Sequence, residues 1–259
     1  QGSFNVDDMK LYENEIVRIR DIYIKFYETL EAQDQVIQKM FGEDFPDKSF
    51  TTAEFCNLMG KMSKENSKHP EKSFITTAYD YDVPVYISTI KDSSLALNLA
   101  VHRLRDKKYN LDFVREIIEQ AAILYDSKKS GILELGGGVP KNAAQQTGPL
   151  LDQILRRNDG GQDYIIQITD ARPDTGGLSG ATLQEGKSWG KVQNAHEGVV
   201  TVYADATIAF PILALYVLSN QKTRKPKRLY KKLGKLYDKL SDDYFKNPGN
   251  KQKKTKKKN

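Results

Sequence analysis

The segment Glu185-Gly-Lys-Ser-Trp-Gly-Lys191 sets a lysine beside the chain's single tryptophan and six residues after a carboxylate. A lysine amine, with a reference pKa of about 10.4, becomes a nucleophile only when uncharged, which burial or a neighbouring cation achieves. Trp189 can supply the apolar wall, and Glu185 can hold a substrate cation. The same spacing also suits a lysine stem laid over an indole for packing alone.

Other candidate groups lie in loops. Gly136-Gly-Gly138 follows an apolar run and precedes a helical one, so its amides can approach a ligand closely and a helix N-terminus can face a phosphate. It matches neither a dinucleotide fingerprint nor a P-loop, and reads equally as a tight turn. Ile168-Thr-Asp-Ala-Arg-Pro-Asp-Thr-Gly-Gly-Leu-Ser-Gly180 carries the carboxylates Asp170 and Asp174 and leads directly into the lysine segment. Each Asp is a turn cap or a binding group. Asp205, in Tyr203-Ala-Asp-Ala-Thr207, reads as a helix N-cap or as a partner for a ribose hydroxyl, and Asp92, in Lys91-Asp-Ser-Ser94, has the same two readings. His69, His102 and His196 form no metal spacing, no CxxC is present, and no GxSxG elbow marks a serine hydrolase; no metal is expected.

The elements that must position these groups follow from periodicity. Residues 1 to about 42 read as helical, with Ile16, Ile19, Ile22, Tyr23, Phe26, Tyr27 and Leu30 at three- and four-residue steps. A second helix starts after Thr51 or Thr52, with Glu54 in its first turn. Val83-Pro-Val-Tyr-Ile-Ser88 is a strand candidate, and a helix follows from Asp92-Ser-Ser through Leu104. Helix 112–125, strand 131–135, helix 141–155, strand 164–168, strand 199–203 and helix 208–218 then alternate. That grammar predicts a parallel sheet covered on both faces, with ligands beyond the carboxyl ends of its strands. An amphipathic stretch, residues 229–245, precedes a lysine-rich end.

Composition bounds the rest. At 39% hydrophobic over 259 residues, the chain can bury a core. Its longest apolar run, residues 206–218, is about 13 residues long and falls short of the ~20 that span a membrane. No signal-peptide pattern opens the chain and Cys56 stands alone, so a reducing, cytoplasmic setting is expected. The net charge of +6 is unevenly distributed: residues 221–259 hold 16 Lys/Arg against three Asp, leaving 24 basic and 31 acidic residues in the first 220. An acidic body with a basic, solvated tail around residues 253–258 predicts no specific nucleic-acid partner. The expected organisation is one α/β domain over residues 1–220, then the amphipathic helix and tail over 221–259.

Four segments, Lys91-Asp-Ser-Ser94, Leu135-Gly-Gly-Gly-Val139, Ser188-Trp-Gly-Lys191 and Val202-Tyr-Ala-Asp-Ala206, resemble the deoxyhypusine synthase family over most of residues 5–218. The resemblance implies a doubly wound, mostly parallel, Rossmann-like NAD-binding fold, a homotetramer, and active sites built between subunits. It implies NAD-dependent oxidation of spermidine, transfer of the aminobutyl group to the motif lysine as an imine, and passage to an acceptor amine. The acceptor is a lysine of the hypusine-containing translation factor or, in homospermidine synthases, putrescine. Carried over by position, Lys191 is the imine-forming lysine, Trp189 packs on substrate, Glu185 meets a substrate amine, and Asn142 occupies a substrate position. Asp92, Ser94, Gly136, Gly137, Gly138, Ser179, Asp205 and Ala206 fall on NAD positions.

The chain departs from the eukaryotic pattern at Leu97 and Leu178, where aspartates are usual, at Asn142, where a histidine is usual, and at Lys187, where an apolar residue is usual. Residues 169–182 instead resemble the bacterial-type, deoxyhypusine synthase-like branch, in which Asp170 and Asp174 would take over amine binding. On a helical reading Lys187 shares a face with Lys191 and would lower its pKa; an exposed Lys187 would not. The family's upstream segment, with a second glycine loop for NAD, has no counterpart here, so the chain reads as lacking roughly the first third of the fold. A catalytically incomplete subunit that completes a paralogue is the alternative this suggests.

Overall fold

β-Branched side chains crowd a helix and fit a pleated ribbon, and Ile16, Val17, Ile19, Ile22 and Ile24 fold accordingly. In the computed structural model, which describes residues 6–19, 22–42, 49–157, 161–194, 197–222 and 224–247, the expected long N-terminal helix is replaced by three elements. They are a short α1 (Asp8–Glu13), an antiparallel hairpin of β1 (Ile16–Ile19) and β2 (Ile22–Lys25), and α2 (Phe26–Phe41). The three-residue steps that suggested a helix continue correctly only from Phe26. The chain divides into two units, residues 1–80 with 84–112 and residues 81–83 with 113–259.

In the first unit, β3 (Ser49–Phe50) leads into α3 (Thr52–Asn66). There Thr51, one of the two threonines the sequence offers as a cap, forms a reciprocal capping box with Glu54. α4 (Phe74–Asp80) follows, then α5 (Ser94–Leu104) and β4 (Asn110–Leu111), which pairs in parallel with β3. Val36, Ile37 and Phe41 of α2 pack with Phe50, Phe55, Cys56, Leu95 and Leu99 as the core of this unit. The strand expected over residues 83–88 does not form. Pro84 removes one ladder donor, and the Ile87 amide donates to Thr52 Oγ1 at 2.9 Å instead of to a neighbouring strand. His102 is buried against Asp34 and His69 lies 3.4 Å from Glu71, whereas His196 falls outside the described residues.

The second unit carries α6 (Phe113–Tyr125), β5 (Gly131–Leu135), α7 (Val139–Gln145), α8 (Thr147–Pro149) with a π-helical turn after it (Leu150–Ile154), β6 (Tyr164–Thr169), α9 (Leu183–Ser188), β7 (Val199–Tyr203), α10 (Ala206–Asn220) and α11 (Leu233–Lys246). β5, β6 and β7 form a parallel sheet in chain order, with Leu135 opposite Ile168 and Thr169 opposite Tyr203. Their carboxyl ends therefore emerge along one edge. One sheet face is covered, with Ile132 and Val199 packed around buried Ile165, Leu183 and Val192. The other presents Leu133, Leu135, Ile166, Val200 and Val202 to solvent, and α10 has no buried residue.

α11 belongs to this unit. Its Leu236 and Leu240 pack with Ala121, Ala122, Leu124 and Leu151, and its Lys239 pairs with Asp126 at 2.6 Å. Asp82, nearly buried, is held by Arg228 at 2.9 Å and Lys231 at 3.1 Å. Part of the basic segment thus has structural partners; the run at 253–258 lies outside the described residues. No helix among the described residues is long and apolar enough to cross a membrane. If α11 is core to this unit, Leu240→Ala should lower its unfolding free energy by about 2–5 kcal/mol, measurable as an earlier urea transition.

Candidate active site

Lys191 is placed by its backbone before its side chain does anything. Thr182 caps α9, its hydroxyl accepting from the Glu185 amide at 3.2 Å. The helix then ends in a Schellman turn: the Gly190 amide donates to the Lys187 carbonyl at 3.1 Å and the Lys191 amide to the Gly186 carbonyl at 3.0 Å. Such a turn needs a left-handed residue, and Gly190 has φ +74°. Because α9 stops at Ser188, Lys187 and Lys191 do not share a helical face; Lys187 is exposed and donates to the Gln193 carbonyl at 2.5 Å. This corrects the helical reading of the pair.

Two further glycines close on this turn. A Cβ on Gly148 would meet the Gly190 oxygen at 2.6 Å, and one on Gly161, whose φ is +87°, would meet the Lys191 carbonyl carbon at 2.3 Å. The Gln162 amide donates to the Lys191 carbonyl at 3.0 Å, and Gln153 Nε2 to the Trp189 carbonyl at 2.8 Å. Leu183 and Val192, both fully buried, anchor the segment on either side of the lysine.

The half-buried Lys191 side chain runs from this clamp to Asn142, whose Oδ1 accepts from its Nζ. Its ammonium lies 5.8 Å from the centre of the Trp189 ring. Burial pushes the amine below the ordinary lysine range, while the Glu185 and Glu134 carboxylates pull the other way. Trp189 is itself 57% exposed, so its indole offers a face to a ligand as well as to Lys191. Glu185 is exposed, near enough to Lys191 and Lys141 to act on the charge of both.

Three groups here escaped the sequence reading. Lys141, on α7, is buried with its Nζ donating to the Ala181 carbonyl at 2.9 Å. Burial pushes it down, Glu134 raises it, and the charge of Lys191 lowers it further. Glu134 is buried in β5 and pushed up by that burial, and Gln145 Nε2 donates to its Oε1 at 2.5 Å. A signal existed: an acidic residue alternating inward between Leu133 and Leu135 breaks the apolar pattern of a covered face.

The glycine loop sits at the carboxyl end of β5, where the Gly136 amide donates to the Ile168 carbonyl at 2.7 Å. Gly137 has no room for a side chain, since a Cβ would lie 2.7 Å from Ser179 Cα, and Gly138, φ +87°, opens α7. Gln167 ties the loop to the next turn by donating to the Ser179 and Gly136 carbonyls at 3.0 and 3.4 Å. Asp205, at the end of β7, caps α10 by accepting from the Thr207 amide at 2.8 Å, and Ala206 is the helix's first residue. Asp170 is exposed at the end of β6, while Asp174 is bound bidentately by Arg172 at 2.8–2.9 Å. Asp92 and Ser94 belong to the first unit. There Ser93, not Asp92, caps α5, and Ser94 Oγ accepts from Gln33 at 2.7 Å.

A family model for deoxyhypusine synthase matches residues 1–217. A deoxyhypusine synthase-like protein of Nostoc punctiforme is 41% identical over 252 residues, covering 94% of this chain and 64% of that protein. A protein of Methanosarcina acetivorans, named a probable deoxyhypusine synthase 2, is 36% identical over 228 residues, 88% of this chain and 64% of its own length. One of Archaeoglobus fulgidus with the same name is 34% identical over 232 residues, 87% of this chain and 72% of its own. The chain spans 62–66% of the length of the cyanobacterial relatives it matches.

The clamp yields a test that needs no ligand. Gly161→Ala adds both a steric contact and a strained left-handed alanine, and should cost about 2 kcal/mol or more in unfolding free energy. Gly176→Ala, at a left-handed turn with open space around it, should cost about 1 kcal/mol by strain alone.

Proposed function

The chain belongs to the deoxyhypusine synthase family, and we propose that it transfers the aminobutyl group of spermidine, through an imine on Lys191, to an acceptor amine. The observation that carries this is the Lys191 amine itself: partly desolvated, bonded to a neutral acceptor and set beside an indole. Partial desolvation favours the uncharged amine, which is the form that attacks an electrophilic carbon. The Lys191 nitrogen bonds to the oxidised carbon of the substrate, and the bond from that carbon to the diaminopropane nitrogen breaks. The proton given up by Lys191 leaves on the departing amine. Attack by the acceptor amine then releases Lys191 by the same exchange.

Trp189 packs along the methylenes of the polyamine, and Glu185 meets a terminal ammonium. Asp170 and Asp174 supply further negative charge on the loop after β6. The exposure of Glu185 and Asp170 supports this, because a polycation needs carboxylates it can reach.

NAD, when bound, supplies the acceptor and donor for the hydride. The residues present fit such a group: Gly136, φ +78°, has nothing within 4 Å of where a Cβ would be, at the common carboxyl edge of a parallel sheet. Gly136, Gly137, Gly138, Ser179, Asp205 and Ala206 would hold it on the second unit. The doubly wound, Rossmann-like architecture is part of the same proposal. So is a homotetramer, which the exposed Ile208, Ile212, Leu215 and Leu218 of α10 support. The acceptor we favour is a lysine of the hypusine-containing translation factor.

Incubation with NAD and labelled spermidine, followed by borohydride, should place label on Lys191 and none on a Lys191→Arg chain; bound NAD and spermidine without label would overturn the reading. Adding translation factor or putrescine in place of borohydride identifies the acceptor by which one takes the label. Asp170→Asn with Asp174→Asn should abolish spermidine binding by calorimetry and spare NAD, and unchanged spermidine binding would remove both residues from the site.

A further inference from the structure

The amino ends of β5 and β6 border a cavity of about 470 Å³, walled by the start of β5, by α6 and by the irregular segment that follows α10. The glycine loop lies at the other end of the same strand. β5 is five residues long, so roughly 16 Å of extended chain separate the two. None of the residues assigned above to substrate or NAD lines this cavity.

Its lining has one sign of charge. Lys129, Arg224 and Lys227 line it, and among the described residues no carboxylate does. Other cations of the same basic segment are matched, Arg228 and Lys231 to Asp82 and Lys239 to Asp126, whereas Arg224 and Lys227 have no ion-pair partner among the described residues. Lys129 is steadied by Tyr164, whose hydroxyl accepts from its Nζ at 3.2 Å and whose ring centre lies 5.5 Å away. Asp163, close enough to act on Lys129, is committed to Ser130 and accepts from its amide at 2.8 Å. Gln162 supplies an independent sign of a ligand. It is 6% exposed and lines the cavity, and its side-chain amide makes no hydrogen bond among the described residues. Its main chain is fully used, the amide donating to the Lys191 carbonyl at 3.0 Å and the carbonyl accepting from the Gln193 amide at 2.9 Å. A buried amide without a protein partner is a group that a ligand can satisfy.

We propose that this cavity binds a small organic phosphate, with the dianion held by Lys129, Arg224 and Lys227 and by the Gln162 amide, and the carbon body against Ile123, Ile132 and Leu229. A guanidinium pairs bidentately with phosphate oxygens and the lysines add point charge. Three cations suit a dianion better than a singly charged carboxylate. The volume falls in the range of small-molecule sites, and a concave site with a buried amide suits a compact ligand better than a nucleic-acid backbone. Because Gln162 also holds the Lys191 carbonyl, the occupant rests against a residue that positions that lysine. The site is separate from the proposed transfer, and its test does not depend on that reaction.

The test is calorimetric titration of the full chain, without NAD or polyamine, with phenyl phosphate. It should bind saturably, and more tightly than phenol or inorganic phosphate, each of which keeps only part of the recognition. Arg224→Gln with Lys227→Gln should weaken it by at least about tenfold. Gln162→Leu should weaken it by about three- to tenfold. Lys225→Gln with Lys235→Gln removes the same charge from exposed positions that do not line the cavity, and should leave the affinity within about twofold. No saturation by millimolar phenyl phosphate, or an equal loss in the two double variants, would overturn the proposal. So would binding of a single-stranded oligoribonucleotide with none of phenyl phosphate, which would assign the cations to nucleic acid. Should Gln162→Leu fail to fold, the two double variants, altered only at exposed positions, decide alone.

Discussion

The placement of Lys191 depends on one backbone constraint: the chain must reverse out of α9 at Gly190 and pass Gly161 too closely for a Cβ to fit there. The left-handed turn puts Lys191 at a fixed distance beyond the helix, with its amide returned to Gly186 and its carbonyl held by Gln162. Leu183 and Val192 bury the segment at both ends. A lysine has a long, flexible stem and loses up to about 2 kcal/mol of rotamer freedom when fixed. Fixing the backbone on both sides leaves only that stem to be ordered, and Asn142 at its tip orders it.

The same constraint explains the make-up of the motif. Ser188 returns its hydroxyl to the Glu185 carbonyl at 2.7 Å, covering a helix end, and Gly190 supplies the left-handed conformation. These two residues are structural. Trp189 and Lys191, alternating with them, carry the side chains that face one another. Half of this four-residue segment thus answers to backbone geometry, while the other half is left to present its side chains to each other and to solvent.

What the sequence made legible follows the same division. The strands over residues 131–135 and 199–203 and the capped helix after Thr51 were readable because local pattern and final packing agree. The N-terminal hairpin was missed because the isoleucines at 16, 19 and 22 fit a three-residue step as well as a ribbon, and only strand pairing decides between them. The Val83 to Ser88 strand failed because Thr52, 35 residues away from Ile87, supplies the acceptor a ladder would have supplied. Lys191 and Trp189 stood out by residue type and spacing, and Asn142 through the resemblance. Glu134, Lys141 and Gln145 did not, because their significance is burial, which spacing does not reveal.

Burial also explains the choice of partner at the tip of Lys191. A carboxylate there would stabilise the ammonium and raise the pKa, working against the uncharged amine that the proposed reaction needs. The asparagine oxygen accepts a hydrogen bond from the charged and from the neutral amine alike, so it orders the side chain without selecting the protonated form. Negative charge is instead supplied from Glu134 and Glu185, neither of which hydrogen-bonds to Nζ among the described residues. Orientation and charge are thereby separated between different side chains. A single residue doing both would have to orient the lysine by means of the very charge that inactivates it, and the neutral contact at Asn142 removes that conflict.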